Sequence, residues 1–287
     1  MKSDEVKKKR TKRLRNIQVS DILLLVMATL LAIMILLPFF WLVLSSLKTN
    51  VEYYTQPSPV FPKDPQWSRY LYVFVELSFW RYMLNSIWLA AVGVLLNVVS
   101  SAFIAYGFSR FRFKGKNTVF LILLLTMFLP AQVCSIPQFL MFNAYGWVDT
   151  YLPILVPQFF GSAASILLIS QFMRGIPREM DEAARIDGAN RFTVWWQIIL
   201  PQSAAVLIVV AISSFLSSWK DSMGPLIYLR SESLYTVPVA LMFFQAPDQN
   251  SYLMLLTGVV ISMIPTLVVY VALQKWMDKG IYVAELK

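Results

Sequence analysis

Long apolar stretches alternate with short polar segments along the whole chain. Each stretch provides the roughly 20 helical residues that cross a bilayer, and charged residues occur in the stretches only near their ends. The pattern predicts an all-α membrane protein with six transmembrane helices in a single membrane domain, residues 21–276. The predicted spans are residues 22–47, 83–107, 119–142, 151–173, 201–223 and 252–276.

Basic residues are distributed unevenly between the segments that join these spans. With the N-terminus placed inside, 19 of the 25 lysines and arginines fall on the inner side. Because cytoplasmic loops are enriched in Lys and Arg, we expect both termini in the cytoplasm. Residues 1–20 then form a basic cytoplasmic arm, and residues 277–287 form a cytoplasmic tail. An arm that binds RNA or lipid is the alternative interpretation of residues 1–20.

Composition excludes several kinds of chemistry. The formal charge of +9 comes largely from the arm and the inner loops, so we expect membrane lipid and no nucleic acid as a partner. The chain has no histidine and one cysteine, Cys134, which excludes histidine or cysteine-cluster metal sites. No glycines have the spacing of an ATP-binding phosphate loop. We therefore expect a chain that is not an enzyme and binds no cofactor or metal.

The spans carry neutral polar side chains instead of charged ones, among them Asn85, Gln138 and Gln158. Such groups can hydrogen-bond a neutral hydroxylated solute, and they can equally hydrogen-bond neighbouring helices. Carriers coupled to protons or sodium generally need ionisable groups inside the membrane. Their absence from the centres of the spans argues against a self-sufficient secondary carrier.

The inner segment between the fourth and fifth spans has the pattern of a helix, a turn and a second helix. Pro177 fits a first helical position, and Asp181 and Arg185 form an i,i+4 pair. Gly188 fits a left-handed turn, and Asn190 fits the cap of the second helix. A helix that only rests on the lipid surface would give the same pattern. The second helix has an apolar stripe of Phe192, Trp195, Trp196 and Ile199.

This segment, residues 174–200, and the start of the next span also carry a longer pattern. It reads Glu-Ala-Ala, three residues, Gly, nine residues, Ile-x-Leu-Pro, and the matching residues are Glu182, Ala183, Ala184, Gly188, Ile198, Leu200 and Pro201. The pattern resembles the signature loop of the membrane subunits of binding-protein-dependent ABC importers. Residues 82–86, 105–115, 218–221 and 234–238 resemble the carbohydrate, maltose-type branch of that family. Lys220 departs from it, since members often carry Asn before the Asp.

The resemblance implies the permease fold of type I ABC importers, with a coupling helix in the loop, in the plasma membrane of a prokaryote. The implied partners are a second homologous permease, two ATP-binding subunits and an extracytoplasmic solute-binding protein. ATP and Mg would be bound by the ATP-binding subunits. The implied solute is a sugar or oligosaccharide, which the two permeases would conduct together.

The resemblance also implies roles for particular residues. Coupling to the ATPase falls to Glu182, Ala183, Ala184, Asp187, Gly188, Ile198, Leu200 and Pro201. Candidate residues of the solute path are Asn85, Gln138, Gln158, Trp219 and Asp221. Candidate contacts to the binding protein are Tyr235, Pro238 and Gln245.

Three other functions are weighed against a sugar importer. A glycerol-phosphate or polyol permease of the same family would favour basic groups in the solute path. An autonomous secondary carrier would need intramembrane ionisable groups. A membrane-bound enzyme would need catalytic groups, and the chain has no histidine and no carboxylate pair within its spans.

Overall fold

The computed structural model describes residues 19–244 and 249–285, which form helices, turns and loops with no strand in either range. The predicted basic arm is described only at its last two residues, and Gln245 lies outside the described residues. Two compact units divide the chain, Met1–Trp67 and Ser68–Lys287.

The two described ranges contain fifteen α-helices. In chain order they are α1 (Val19–Ser46), α2 (Asn50–Tyr54), α3 (Trp67–Leu71), α4 (Phe79–Arg110), α5 (Lys116–Leu125), α6 (Ala131–Ala144), α7 (Leu152–Leu155), α8 (Ala163–Arg174), α9 (Glu179–Ile186), α10 (Arg191–Thr193), α11 (Leu200–Gln202), α12 (Ala204–Lys220), α13 (Met223–Tyr228), α14 (Val237–Phe243) and α15 (Gln249–Glu285). Turns of π-helix occupy Tyr72–Glu76 and Val194–Ile199. Turns of 3-10 helix occupy Thr126–Phe128, Val156–Phe160 and Glu232–Leu234.

Four described segments are long and apolar enough to cross a membrane, and six if each of two bent helix pairs counts as one span. One pair, Lys116–Phe128 with Gln132–Ala144, bends by 101°, and the other, Arg191–Gln202 with Ala204–Lys220, bends by 77°. The prediction of an all-α, multi-pass membrane protein is confirmed for the described residues, with four to six candidate spans. The four unbent segments are Asp21–Ser46, Phe79–Arg110, Leu152–Arg174 and Tyr252–Ala272.

Two of the predicted spans are interrupted at residues that do not continue a helix. Pro130 has no N–H to donate and disfavours helical backbone at the residue before it, and Leu129 is extended there (φ −80°, ψ 115°). Gly161 adopts φ 70° and ψ 173°, a conformation that glycine tolerates at little cost. Helix α8 then begins at Ala163, and its N-cap Ser162 accepts a side-chain hydrogen bond from the backbone N–H of Ser165.

Helix α4 is the central element of the unit Ser68–Lys287, where it contacts α8, α12 and α14, while α12 also contacts α15. An apolar cluster surrounds each end of α4, so the helix joins two packing centres. The cluster at its C-terminal half includes Ala102, Ala105, Tyr106, Ile166, Ile169, Met173, Trp195, Ile199 and Val210. The cluster at its N-terminal end includes Val73, Phe79, Tyr82, Trp219, Val237 and Ile261.

The unit Met1–Trp67 is built on α1, an apolar helix. No side chain is buried along its most hydrophobic 18 residues. A helix that is apolar on every side suits a hydrocarbon environment. After α1 the chain turns around Lys48, which is fully buried. Its Nζ donates to Ser58 Oγ at 3.0 Å and lies 4.2 Å from the centroid of the Trp41 ring. The buried ammonium thereby keeps a polar partner and an aromatic face.

Asp149 joins the loop after α6 to the loop after α13. Its Oδ1 accepts hydrogen bonds from the backbone N–H groups of Arg230 (2.8 Å) and Ser231 (2.7 Å), and Ser231 Oγ donates to its Oδ2. These bonds to the ionised form, with the Ser231 hydroxyl contributing most, hold the pKa of Asp149 below its ordinary value. One carboxylate therefore holds both loops together.

Replacing Gly161 by alanine should destabilise the protein by about 2–4 kcal/mol, because a positive φ with an extended ψ is essentially confined to glycine and because the added Cβ would overpack the site. A Cβ at Gly161 would lie 2.7 Å from Ser101 Oγ and 3.2 Å from the Ser101 backbone nitrogen. Gly146→Ala is the matched control, because Gly146 also has φ 70° and has nothing within 4 Å. We expect Gly146→Ala to cost only the strain, about 1–2 kcal/mol. Thermal unfolding in detergent compares them, and equal losses would contradict the packing argument.

Replacing Asp149 by asparagine should lower thermal stability near pH 7, and the difference from the native chain should shrink on acidification. The native pKa is depressed, so the carboxylate stabilises the fold above its unfolded pKa of about 3.9 and loses this effect as pH falls through the native pKa. Melting curves between about pH 7 and pH 3 measure the difference. A difference that stays constant across that range would argue against the carboxylate as the cause.

Candidate functional site

Helix α9 lies at the end of the bundle where α4 terminates, and it has an outward and an inward side. Ala184 on the inward side packs against the apolar cluster at the C-terminal half of α4. The outward side ends in an isoleucine, Ile186, that is 87% exposed. Ile186 therefore presents an apolar side chain to the surface among the charged residues of α9. The exposed outward residues are Glu179, Glu182, Ala183 and Ile186.

Arg110, the last residue of α4, fixes the inward side of α9. Its Nε lies 3.1 Å from Asp181 Oδ2, and the Arg110 side chain is only 4% exposed. Its Nη1 donates to the backbone oxygen of Ile176 at 3.0 Å. Buried, charge-assisted contacts of this kind hold their partners in one geometry. The start of α9 is thus attached to the end of a core helix.

Two local predictions for this segment are wrong. Asp181 pairs with Arg110, not with Arg185, because the inward side of α9 faces a buried guanidinium. Pro177 does not occupy the first helical position, since α9 begins at Glu179 with Arg178 as its N-cap. The backbone oxygen of Ile176 accepts a hydrogen bond from Arg110, and the helix begins three residues later.

Burial raises the pKa of Asp181 above its ordinary value, while the positive charges of Arg110 and Arg178 act in the opposite direction. Desolvation therefore disfavours the ionised form of Asp181, whereas the neighbouring arginines favour it. If Arg110 were removed, the Asp181 carboxylate would keep its desolvation cost and lose the charge that offsets it most.

The turn after α9 follows the predicted stereochemistry. Gly188 adopts φ 83°, the left-handed conformation expected there. Asn190 caps the next helix, with its Oδ1 accepting from the backbone N–H of Thr193 at 2.8 Å. The Tyr106 hydroxyl donates to the backbone oxygen of Arg191 at 3.1 Å. A second residue of α4 therefore holds the returning chain.

The predicted apolar stripe is divided between the core and the surface. Trp195 and Ile199 are buried, while Phe192 and Trp196 are 61% and 54% exposed. The division follows from the π-helical turn Val194–Ile199. A π-helix has more residues per turn than an α-helix, so residues at α-helical spacing no longer lie on one side of it. Of the predicted coupling residues, Ile198 and Leu200 pack against the apolar cluster, whereas Asp187 and Pro201 are exposed.

A second candidate site is a polar cavity of about 440 Å³ between α4, α8, α12 and the 3-10 turn Val156–Phe160. Hydroxyl and amide groups dominate its wall, with one cation and one carboxylate. Such a surface can exchange hydrogen bonds with a hydroxylated solute. Its polar lining residues are Asn97, Gln158, Ser162, Ser165, Ser213, Ser214, Ser217, Ser218, Lys220 and Asp221.

Asn97 connects the helices beneath this cavity and is 4% exposed. Its Nδ2 donates to Ser165 Oγ at 3.3 Å and to Ser214 Oγ at 2.6 Å. Ser101 Oγ donates to Asn97 Oδ1 at 3.1 Å, and the backbone N–H of Ser162 donates to Ser101 Oγ at 3.3 Å. One amide thereby joins α4, α8 and α12.

The residues predicted for the solute path fall at different places. Gln158 and Asp221 line the polar cavity. Asn85 donates to the backbone oxygens of Ser233 and Tyr235. Gln138 is exposed on α6. Trp219 is buried in the cluster at the N-terminal end of α4, where it stacks on Phe215 at 5.7 Å.

The residues predicted to contact a binding protein lie near the N-terminal end of α4. The Tyr235 hydroxyl donates to the backbone oxygen of Arg230, and its ring stacks on Phe243 at 5.1 Å. Pro238 occupies the first turn of α14 and is half-buried. Both residues therefore lie in a packed segment at this end of the bundle.

Sequence reasoning missed the serines of α12 and the role of Arg110. The serines had a signal, since Ser213 and Ser217 are four residues apart, as are Ser214 and Ser218, which places them on one side of a helix. The Arg110 contact had none, because its partner lies 71 positions along the chain. Among the described residues, no group of three His, Cys, Asp or Glu could hold a metal ion.

Comparison with known proteins finds relatives along nearly the whole chain. The arabinooligosaccharides transport system permease protein AraQ of Halalkalibacterium halodurans is 28% identical, over 90% of this chain and 93% of that protein. The trehalose/maltose transport system permease protein MalG of Thermococcus litoralis is 30% identical, over 93% of this chain and 96% of that protein.

A solved structure shows the same fold. It is the crystal structure of a bacterial ABC transporter involved in the import of the acidic polysaccharide alginate, with 24% sequence identity and a TM-score of 0.79. The match covers 91% of this chain and 97% of that one. Residues 97–282 match the family described as binding-protein-dependent transport system inner membrane component. The matched range includes α9, Arg110 and the polar lining residues of the cavity, and the chain belongs to this family of membrane transport components.

Proposed function

We propose that this chain is a permease subunit of an ATP-driven importer of sugars or oligosaccharides. The observation that carries the proposal is α9, whose outward side presents Glu182, Ala183 and Ile186 from a base that Arg110 holds in place. A short, exposed, firmly attached helix is suited to receive force from a partner subunit. The relatives named for arabinooligosaccharide and trehalose/maltose transport support the sugar class.

The proposed topology has six membrane spans, both termini in the cytoplasm of a prokaryotic cell, and α9 as a cytoplasmic coupling helix. Arginines gather around α9, which supports the cytoplasmic side for this end of the bundle. They include Arg110, Arg112, Arg185 and Arg191. Residues 21–276 would form the permease domain, preceded by the arm 1–20 and followed by the tail 277–287.

The proposed assembly contains this chain, a second homologous permease, two ATP-binding subunits and an extracytoplasmic solute-binding protein. ATP and Mg would bind to the ATP-binding subunits, with no cofactor on this chain. Tyr235 and Pro238, at the opposite end of α4 from α9, are assigned to contact with the binding protein.

Glu182, Ala183 and Ile186 are assigned to contact with an ATP-binding subunit. Ala183 has no side chain beyond Cβ, so a partner can approach the helix closely between the two longer neighbours. Gly188 permits the turn, and Ile198 and Leu200 anchor the returning chain in the core. Asp187 and Pro201 are exposed at the ends of the two helical segments.

The polar cavity is assigned to this subunit's part of the solute path. Its hydroxyl and amide lining suits a neutral polyhydroxylated solute, because each group can both donate and accept hydrogen bonds. Lys220 and Asp221 contribute opposite charges to the same wall, so the cavity has no excess of positive charge. This balance favours a neutral sugar over a glycerol phosphate.

Replacing Ile186 by aspartate should reduce recovery of the ATP-binding subunit with the tagged chain by at least about tenfold, as expected for loss of a central apolar contact. Ile186→Leu is the matched control and should retain recovery. The comparison uses affinity purification from the host membrane, normalised to inserted chain. Equal recovery with both variants would remove Ile186 from the interface. Failure of the native chain to bring any ATP-binding subunit would overturn the proposed function.

Replacing Gln158 by leucine should raise the KM for sugar uptake roughly two- to tenfold, the effect of one lost hydrogen bond. Gln138→Leu is the control, because Gln138 lies on α6 away from the cavity. Uptake is first measured with a panel of labelled mono- and oligosaccharides, and KM is then compared for the sugar transported. An unchanged KM for Gln158→Leu, or equal effects of both variants, would exclude the cavity from the solute path.

A further inference from the structure

Two cavities adjoin where α4 ends and the chain returns from α9. The first, of about 350 Å³, has walls formed largely by apolar and aromatic side chains, including Phe103, Ile104, Phe192 and Trp195. The second, of about 280 Å³, is lined by several arginines. They share Tyr106, Phe111 and Arg191, so an apolar cleft continues directly into a basic one.

The basic cavity carries an excess of positive charge. Four arginines and one carboxylate line it, and the carboxylate of Asp181 is already paired with Arg110 at 3.1 Å. In the part of the chain that the structure describes, no carboxylate forms an ion pair with Arg112, Arg185 or Arg191. Arg191 instead lies 5.0 Å from the centroid of the Phe111 ring, which leaves its polar edge available to an anion.

Two residues beside these cavities have buried donors without hydrogen-bond partners. Arg110 is 4% exposed, and its Nη2 has no hydrogen-bond partner among the described residues. Trp195 is 5% exposed, and its Nε1 also has no partner within the described ranges. Buried donors are costly when left without acceptors. The Nη2 of Arg110 thus offers the basic cavity a donor suited to a phosphate oxygen.

The chemistry that fits both cavities is an amphiphile with a phosphate and a hydrocarbon chain. Guanidinium groups bind phosphate oxygens in bidentate fashion. The exposed rings of Phe103 and Phe192 flank the apolar part, and an acyl chain can lie against them. The cavities also lie at the end of an apolar 32-residue helix, the level at which lipid headgroups meet a spanning helix.

We propose that the two cavities together bind one anionic phospholipid. Its phosphate lies among Arg112, Arg185 and Arg191, and an acyl chain lies along Phe103, Ile104 and Trp195. Because Arg110 also holds α9, the lipid occupies the base on which α9 rests. The inference goes beyond the proposed transport function, and the experiment measures lipid binding without transport.

The test is native mass spectrometry of the purified transporter complex titrated with dioleoylphosphatidylglycerol or dioleoylphosphatidylcholine. The native complex should bind the anionic lipid more tightly. The double variant Arg112→Gln, Arg191→Gln should bind it about 25-fold more weakly, about fivefold for each arginine lost. Arg174→Gln is the matched control, because Arg174 also lies over an aromatic ring, at 5.3 Å from Phe120, and lines neither cavity. It should change the affinity less than twofold.

Two competition arms identify the ligand. Inorganic phosphate and glycerophosphoglycerol, which lack acyl chains, should fail to displace the lipid, and displacement by either at equal concentration would reassign the site to a free phosphate group. Equal affinities for the double variant and Arg174→Gln would overturn the proposal. Binding by the chain freed of ATP-binding subunits but not by the complex would assign the arginines to a protein interface instead. The double variant's elution on gel filtration shows whether it is folded.

Discussion

The hydrogen bonds of Asn97 are the interaction on which the helix arrangement depends. An amide buried in an apolar bundle is costly unless its hydrogen bonds are made, and Asn97 makes them only when α4, α8 and α12 lie in one register. The break at Gly161 belongs to the same arrangement, since the chain that follows it donates to Ser101. The serines that satisfy the amide continue into the wall of the polar cavity. The same polar side chains therefore join the helices and line the proposed solute path.

Arg110 plays a comparable role at the end of α4. Its charge is buried, so it needs compensation, and Asp181 with the backbone oxygen of Ile176 provides it. Both partners belong to the segment that carries α9. A buried ion pair adds little net stability but specifies one arrangement of the elements it joins when its geometry is fixed. The position of α9 is in this way determined by the helix that also bears Asn97.

Much of the architecture could be predicted because its signals are local. Runs of apolar residues located the four to six candidate spans, and glycine and asparagine located the turn at Gly188 and its cap at Asn190. The bend at Pro130 also has a local cause. The partner of Asp181 could not be predicted, because Arg185 satisfies the helical spacing rule while Arg110 reaches the site only through the fold. Trp219 has a polar nitrogen near a span end, yet its ring is buried because α4 and α14 cover it.

The path of α4 has a mechanical consequence. It runs for 32 residues without a proline, whereas α1, α6 and α15 each contain one, so α4 lacks the usual site of kinking. Asn97 lies 13 residues before Arg110, about 20 Å along the axis, and Tyr82 near the other end donates to Glu232. Because no proline marks a kink in α4, a displacement at Arg110 would reach the Tyr82 end through a stiff helix.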